Sequence, residues 1–101
     1  MTHLDDIIAK GAGPGRPINN NVRCADGFKL SIVANEYAYC TPRSNDGPYL
    51  AVEVGYPSER PEPWADWVTY CESPDGPMET VYGWVPVAFV RALVASHGGE
   101  A

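Results

Sequence analysis

A β-hairpin is encoded by residues 22–32, which read VRCADGFKLSI, and this stretch decides the fold. Apolar and polar residues alternate on both sides of the turn formers Asp26-Gly27. A two-residue turn would leave the apolar residues of the two strands on opposite faces. A three-residue loop with Gly27 in the left-handed conformation instead pairs Cys24 with Phe28. The longer loop therefore predicts one apolar face made of five side chains: Val22, Cys24, Phe28, Leu30 and Ile32.

Two further segments of strand and a C-terminal helix are predicted downstream of the hairpin. Residues 49–56 alternate between apolar and polar, and another strand is predicted near residues 80–85. Pro86 suits the first turn of a helix that covers residues 87–97 and ends at Gly98-Gly99. The sequence thus predicts an α+β fold, with a small antiparallel sheet of three to four strands in β-β-β-α order and the helix packed on one face.

The first 20 residues are expected to form a flexible tail. Five of the seven residues at positions 11–17 are Gly or Pro, a composition that does not sustain regular structure. A single helical turn over residues 5–10 is compatible with this segment. We therefore divide the chain into a tail, residues 1–20, and one α+β domain, residues 21–101. The start of the chain also has neither the basic nor the long apolar part of a signal peptide, which favours a cytoplasmic location.

Negative charge is concentrated in residues 53–79, which hold seven acidic residues and one basic residue, Arg60. The net charge of the chain is −6, so this segment accounts for the whole excess, because seven minus one is six. Such a field repels phosphate backbones and anionic lipid, so we expect neither direct nucleic-acid binding nor membrane association. The segment favours a basic partner, or it is a solvated loop that keeps the protein soluble.

No pattern in the sequence is typical of an active site or of a metal centre. The three cysteines, at positions 24, 40 and 71, include no Cys-x-x-Cys pair, and the histidines are His3 and His97 alone. We therefore predict no catalytic residue, no metal and no cofactor, and we expect buried, reduced thiols. A small-ligand binder or an enzyme of unknown chemistry stays open as an alternative. Its pocket would be formed by Tyr37, Tyr39, Cys40 and His97.

Aromatic residues beside acidic ones in the middle of the chain are the leading candidates for a binding surface. Large aromatic anchors inside a polar rim are typical of interface hot spots. Trp64 and Trp67, the two tryptophans of this segment, are equally suited to closing the small core of a domain of this size. The predicted protein-binding residues are Glu59, Glu62, Trp64, Asp66 and Trp67.

The C-terminal helix provides a second candidate surface. At about 100° per residue, the face opposite its apolar core face is poor in charge, and either the long loops or another subunit would cover it. A further alternative is therefore a structural or assembly protein that homodimerises through this helix. The predicted oligomer face consists of Ala88, Arg91, Ala92 and Ala95.

Six short segments of the sequence form a recognisable set: CADGF at 24–28, YCTPR at 39–43, DGPY at 46–49, VEVGYPS at 52–58, VYGWVPV at 81–87 and HGG at 97–99. They resemble a group of uncharacterised small accessory proteins of actinobacterial phages. The resemblance covers about residues 20–100 and brings no activity and no site residues with it. It implies expression in the cytoplasm of a bacterial host. We therefore expect a non-enzymatic phage protein that binds a host protein, for host takeover or against host defence, through its acidic, aromatic surface.

Overall fold

The computed structural model describes residues 2–101, which contain four strands and three helices. Residue 1, the first residue of the predicted tail, lies outside the described residues. A 3₁₀ turn at Val68–Tyr70 continues the second helix. In chain order the elements are α1 His3–Lys10, β1 Asn21–Arg23, β2 Lys29–Val33, β3 Ala51–Gly55, α2 Trp64–Trp67, β4 Val81–Pro86 and α3 Val87–Ser96.

The sheet is an antiparallel meander in the order β1-β2-β3-β4. The predicted register of the hairpin is confirmed: Val22 pairs with Leu30, and the Cys24 N–H donates to the Phe28 carbonyl at 2.8 Å. Gly27 has φ 94°, as the three-residue loop requires. The predicted α+β class, with its antiparallel sheet and C-terminal helix, is therefore the observed one.

The core is a single cluster on one face of the sheet, closed by side chains from α1 and α3. Alternation along the strands sends every second side chain into this cluster, so β2 buries Leu30 and Ile32 while Lys29 stays exposed. From α3 the buried side chains are Val90, Leu93 and Val94. We call the opposite side of the sheet its outer face. No helix within residues 2–101 is long and apolar enough to cross a bilayer.

The N-terminal segment differs from the predicted flexible tail, because residues 3–10 form the helix α1. Thr2 and Asp5 cap its start reciprocally, which satisfies N–H groups that a helix leaves free. The helix buries Leu4, Ile7 and Ile8, whose spacing of three and four residues makes one apolar face. The domain boundary predicted at residue 20 therefore does not separate a tail from the packed body.

Contacts with distant parts of the chain hold the segment after α1 as well. Ala12 exchanges hydrogen bonds with Ala34, just after β2, at 3.0 and 3.1 Å. At the end of α1, the Ile8 carbonyl accepts the Tyr49 N–H at 2.8 Å. Glycine is needed here: a Cβ on Gly11 would lie 2.6 Å from the Ala34 carbonyl oxygen. The Gly- and Pro-rich composition thus serves a close approach of two backbones.

A β-bulge interrupts the pairing between β3 and β4. The register shifts between Val52 and Val54, so Gly83 and Trp84 together lie opposite a single residue of β3. An extra residue of this kind bends the strand and redirects a side chain. Regular alternation would place Trp84 on the same face as the buried Tyr82, but the bulge turns the indole outward.

Candidate functional site

Trp67, predicted to lie on the binding surface, is part of the core. Its side chain is only 2% exposed, and its ring packs edge-on against Tyr82 with centroids 5.7 Å apart. The single turn of α2 brings Trp64 to the same ring, at 6.3 Å, because residues three apart share one face of a helix. The prediction that Trp67 contacts a partner is therefore wrong: the indole closes the core beneath β4.

Trp64 is half-buried, and it contacts two charged neighbours, Arg60 and Glu62, that also bind each other. The Arg60 guanidinium lies 5.2 Å from the indole centroid, and its Nε is 2.8 Å from the Glu62 carboxylate. The Trp64 N–H donates to the same carboxylate at 3.1 Å. The hydrogen bond from Arg60 lowers the pKa of Glu62. Because these groups already bind one another, a partner would have to displace internal contacts to use them.

Five other acidic residues of the segment 53–79 are exposed to solvent. Glu59 and Asp66, both predicted to bind a partner, are exposed, and Glu72, Asp75 and Glu79 are exposed in the turns that lead to β4. Arg60, the one basic residue of the segment, forms an ion pair with Glu62. The segment therefore presents an uncompensated negative surface.

A half-exposed aromatic stack lies beside this negative surface. Trp84 is 49% exposed and stacks on Tyr39, with centroids 4.8 Å apart and planes 24° from parallel. The Trp84 N–H donates to the Tyr39 carbonyl at 2.9 Å, which joins the backbones as well as the rings. On Tyr39, the Arg43 guanidinium lies 5.9 Å from the ring centroid. The ring of Tyr39 thus contacts a guanidinium as well as an indole.

Two neighbours fix the position of Tyr39 beneath Trp84. The Glu53 carboxylate accepts the Tyr39 N–H at 3.1 Å. Gly83 leaves room for the tyrosine, since a Cβ there would lie 3.2 Å from the Tyr39 Cβ. The bulge residue before Trp84 is therefore a glycine for a steric reason, and the stack is held from below by the sheet.

A cleft of about 480 Å³ opens next to Trp84. One wall is the segment after the 3₁₀ turn, which runs along β4: the Glu72 N–H donates to the Val81 carbonyl at 3.1 Å. Tyr70 is anchored behind it by an edge-on contact with Phe89 at 6.0 Å. The Trp84 cleft, as we name it, is lined by Thr69, Tyr70, Cys71, Glu72, Gly83 and Trp84.

The Trp84 cleft combines aromatic residues with an acidic one, Glu72. Aromatic rings attract cations through their negative faces, and tryptophan does so most strongly. A carboxylate beside the ring adds a charged hydrogen-bond acceptor for an ammonium or guanidinium group. The arrangement therefore suits a Lys or Arg side chain.

Sequence reasoning missed Trp84 because the bulge breaks the strand's alternation. In a regular strand the predicted element at residues 80–85 would bury Trp84 together with Tyr82. The one available signal was Gly83, since a glycine inside a strand often marks a bulge.

The predicted oligomer face is exposed, and one of its residues is already engaged. Ala88, Ala92 and Ala95 face solvent, so the long loops do not cover them. Arg91 forms an ion pair with Asp5 of α1 at 2.7 Å. Homodimerisation through this face remains a prediction.

The residues of the predicted ligand pocket have separate surroundings. Cys40 is buried, and its thiol lies 3.3 Å from two carbonyl oxygens, of Asn35 and Pro42. His97 lies instead at the hairpin turn, 2.7 Å from the Asp26 carboxylate and stacked on Phe28 at 3.9 Å. Its ring is therefore engaged in a structural contact. Within residues 2–101 no group of three or more His, Cys, Asp or Glu side chains is arranged to hold a metal ion.

Comparison of the chain with protein-family models, curated proteins and solved structures gave no match. The function is therefore inferred from the fold, from the cluster of Arg60, Glu62 and Trp64, and from the Trp84 cleft.

Proposed function

We propose that this protein is a non-enzymatic binding protein whose partner is another protein with a basic surface. The observation that carries the proposal is the Trp84 cleft, in which the half-exposed Trp84 and the acidic residue Glu72 line one recess. A Lys or Arg side chain of the partner enters this recess. In this proposal Trp84 replaces Trp67 as the aromatic contact residue, and the contact surface is still acidic, as the sequence predicts.

Backbone strain at Trp84 supports a functional reason for its position. Its φ of 53° lies in the left-handed region, which side-chain-bearing residues rarely adopt. Conformations of this kind cost about 1–3 kcal/mol and cluster at binding sites. Leaving a large aromatic half in water also forgoes hydrophobic stabilisation. Both costs are consistent with an indole displayed for a partner.

Charge determines which partner fits. The acidic segment repels anionic surfaces and attracts cationic ones, which raises the association rate of a basic protein. At the cleft itself, a cation on the indole contributes about 0.5–2 kcal/mol, depending on how completely it leaves water. The Arg43–Tyr39 contact is an internal example of the same interaction on the neighbouring ring. The resemblance to phage accessory proteins supports a host protein as the source of this basic surface.

A peptide-binding experiment tests the proposal. We expect a fluorescein-labelled hexa-arginine peptide to bind the full chain, and hexa-citrulline, which has the same shape without the charge, to bind at least tenfold more weakly. Asparagine tolerates positive φ, so Trp84→Asn removes the ring without adding strain, and it should weaken binding about tenfold. Glu72→Gln should weaken binding several-fold. Binding is followed by fluorescence anisotropy at a fixed, low salt concentration.

Asp75→Asn is the matched control, because it removes the same charge from the same acidic segment outside the cleft. If Asp75→Asn weakens the peptide as much as Glu72→Gln, the attraction is a property of net charge and the cleft proposal is wrong. Undiminished binding by Trp84→Asn would also overturn it. With the site established in this way, a partner from a bacterial extract is assigned to it only when Trp84→Asn loses that partner.

A further inference from the structure

Two basic side chains lie directly opposite each other on the outer face of the sheet. Arg23 of β1 pairs in register with Lys29 of β2, and both are exposed. Within residues 2–101 neither has a carboxylate oxygen within ion-pair distance. Like charges directly opposite on neighbouring strands are destabilising. In a chain of net charge −6, two adjacent bases without an internal partner point to an external anion.

The two bases line a hollow of about 570 Å³. Its floor includes Asn21 and Ser31, which lie opposite each other in the register of β1 and β2. Asn20 donates to the Ser31 hydroxyl at 2.8 Å. We name this region the outer-face hollow; it is lined by Asn20, Asn21, Val22, Arg23, Lys29, Leu30, Ser31 and Tyr56.

Tyr56 forms the wall of the outer-face hollow and is held there by its backbone. The side chain is 63% exposed, and its φ is 48°. Within the described residues, Tyr56 and Trp84 are the two non-glycine residues with positive φ, and both are exposed aromatic residues beside a cleft. The Tyr56 N–H donates to the Thr80 carbonyl at 3.0 Å, which fixes the residue against the start of β4.

The segment after Tyr56 ties the aromatic wall to one of the bases. Ser58 forms two hydrogen bonds with Lys29: its N–H donates to the Lys29 carbonyl at 2.8 Å, and its hydroxyl accepts the Lys29 N–H at 2.9 Å. The backbone positions that carry the Tyr56 ring and the Lys29 ammonium group are therefore held beside one hollow. Preorganisation of this kind reduces the entropy lost when a ligand binds.

We propose that the outer-face hollow binds a small phosphorylated molecule with an aromatic ring, of the chemical class of a nucleoside monophosphate. Arg23 and Lys29 bind the phosphate oxygens, since a guanidinium matches their geometry and an ammonium adds a point charge. The amide and hydroxyl groups of the floor meet the polar sugar. The ring of the ligand stacks on Tyr56. The site uses β1 and β2, whereas the Trp84 cleft is formed by β4 and the residues around the 3₁₀ turn.

The acidic neighbours of the outer-face hollow set an upper limit on ligand size. Glu59 is exposed next to Ser58, and Glu100 lines a neighbouring cleft that shares Arg23 and Asn21 with the hollow. Glu100 is engaged by the Leu4 N–H at 2.8 Å. These carboxylates, together with the acidic segment, repel an extended polyanion. A single phosphate group is compatible with them, which favours a mononucleotide over a nucleic-acid strand.

The test is a binding series with three probes: adenosine monophosphate, adenosine and inorganic phosphate. Binding is measured by calorimetry at low salt and located by the amide NMR shifts of Arg23 and Lys29. We expect adenosine monophosphate to bind at least tenfold more tightly than either fragment, because phosphate and ring are recognised together. The Arg23→Gln/Lys29→Gln variant should lose at least tenfold, whereas Lys10→Gln, which removes an exposed base at the end of α1, should change nothing.

Tyr56→Asn separates the ring from the charge, since asparagine tolerates the positive φ. It should bring the affinity for adenosine monophosphate down to that for phosphate. The proposal is overturned if adenosine monophosphate leaves the Arg23 and Lys29 amides unshifted at millimolar concentration. It is also overturned if inorganic phosphate binds as tightly as the nucleotide, or if Lys10→Gln weakens binding as much as the double variant.

Discussion

Arg91 of α3 donates to the carboxylate of Asp5 in α1 at 2.7 Å, and this ion pair joins the two helices through residues that are 86 positions apart in the chain. Both side chains are partly exposed. The pair holds the N-terminal helix beside the C-terminal one, where an apolar recess lies between them. It also satisfies the only charge on the predicted oligomer face. Arg91 is therefore a structural residue of the single chain.

The pH dependence of stability should report the ion pair. The hydrogen bond from Arg91, helped by the Thr2 N–H, lowers the pKa of Asp5 to about 2. Because the folded-state pKa lies below the unfolded value of about 3.9, Asp5 stabilises the fold fully above that value. This contribution is lost as the pH falls from about 4 to about 2. Arg91→Gln should raise the Asp5 pKa towards its ordinary value, as measured by carboxyl NMR titration.

Arg43→Gln is the control for that titration, because Arg43 is also exposed but contacts Tyr39 rather than Asp5. It should leave the Asp5 pKa where it is. An unchanged Asp5 pKa in Arg91→Gln would show that the two side chains do not pair in solution.

The free energy of unfolding should depend strongly on α1. Ile7 is completely buried, so Ile7→Ala should lower the unfolding free energy by about 2–5 kcal/mol, the usual cost of deleting buried methyl and methylene groups. In a flexible tail the same change would cost nothing. Lys10→Ala, at the exposed end of the same helix, should change the value by less than about 0.5 kcal/mol. Urea denaturation of the three proteins measures both effects.

Local interactions explain which parts of the fold were predictable from sequence. The hairpin register follows from a loop of three residues and from Gly27, so nothing outside residues 22–32 was needed. The helix α1 depends on partners that are distant in the chain: the Glu100 carboxylate accepts the Leu4 N–H at 2.8 Å, and Tyr49 bonds the last turn. A Gly- and Pro-rich segment that returns to the sheet has the same composition as a linker.

The candidate site was predictable only in its charge. The acidic segment is exposed as its composition suggests, but the burial of Trp67 depends on Tyr82, which lies across the core on β4. Likewise, the exposure of Trp84 depends on a shift in strand register. Arg23 and Lys29 are opposed only once the hairpin is paired, and their position beside Tyr56 depends on the neighbouring strand. Tertiary contacts decided the burial of Trp67, the exposure of Trp84 and the position of the two bases beside Tyr56, whereas the pairing of Arg23 with Lys29 follows from the local register of the hairpin.

The two tryptophans of α2 should differ sharply in their contribution to stability. Trp67 is fully buried against Tyr82, so Trp67→Ala should lower the unfolding free energy by about 3–5 kcal/mol. Trp64 is half-buried and covered by Arg60 on one side, so Trp64→Ala should cost clearly less. Guanidinium denaturation of both variants, followed by far-ultraviolet circular dichroism, gives the comparison. Equal losses would place both rings in the core.

The thiols should react in the order of their exposure. Burial raises the pKa of Cys24 and of Cys40, and both side chains are almost fully inaccessible. Cys71 is half-buried and lines the Trp84 cleft. Because alkylation needs an accessible thiolate, iodoacetamide should modify one thiol per native molecule, at Cys71, with all three reacting in urea. Peptide mass spectrometry locates the label; early modification of Cys40 would contradict the packing around it.

The strain at Trp84 predicts a reversed order of stability between glycine and alanine. Trp84→Ala and Trp84→Gly both remove the stack on Tyr39, which is worth about 0.5–1.5 kcal/mol, but only glycine adopts a φ of 53° without cost. The glycine variant should therefore be the more stable by about 1 kcal/mol. At Val81 of the same strand, where φ is not positive, glycine should instead be the less stable by about 0.5–1 kcal/mol. Thermal unfolding of the four variants measures both differences. If glycine is the worse residue at both positions, the left-handed conformation of Trp84 does not exist in solution, and the indole has no fixed orientation to offer a partner.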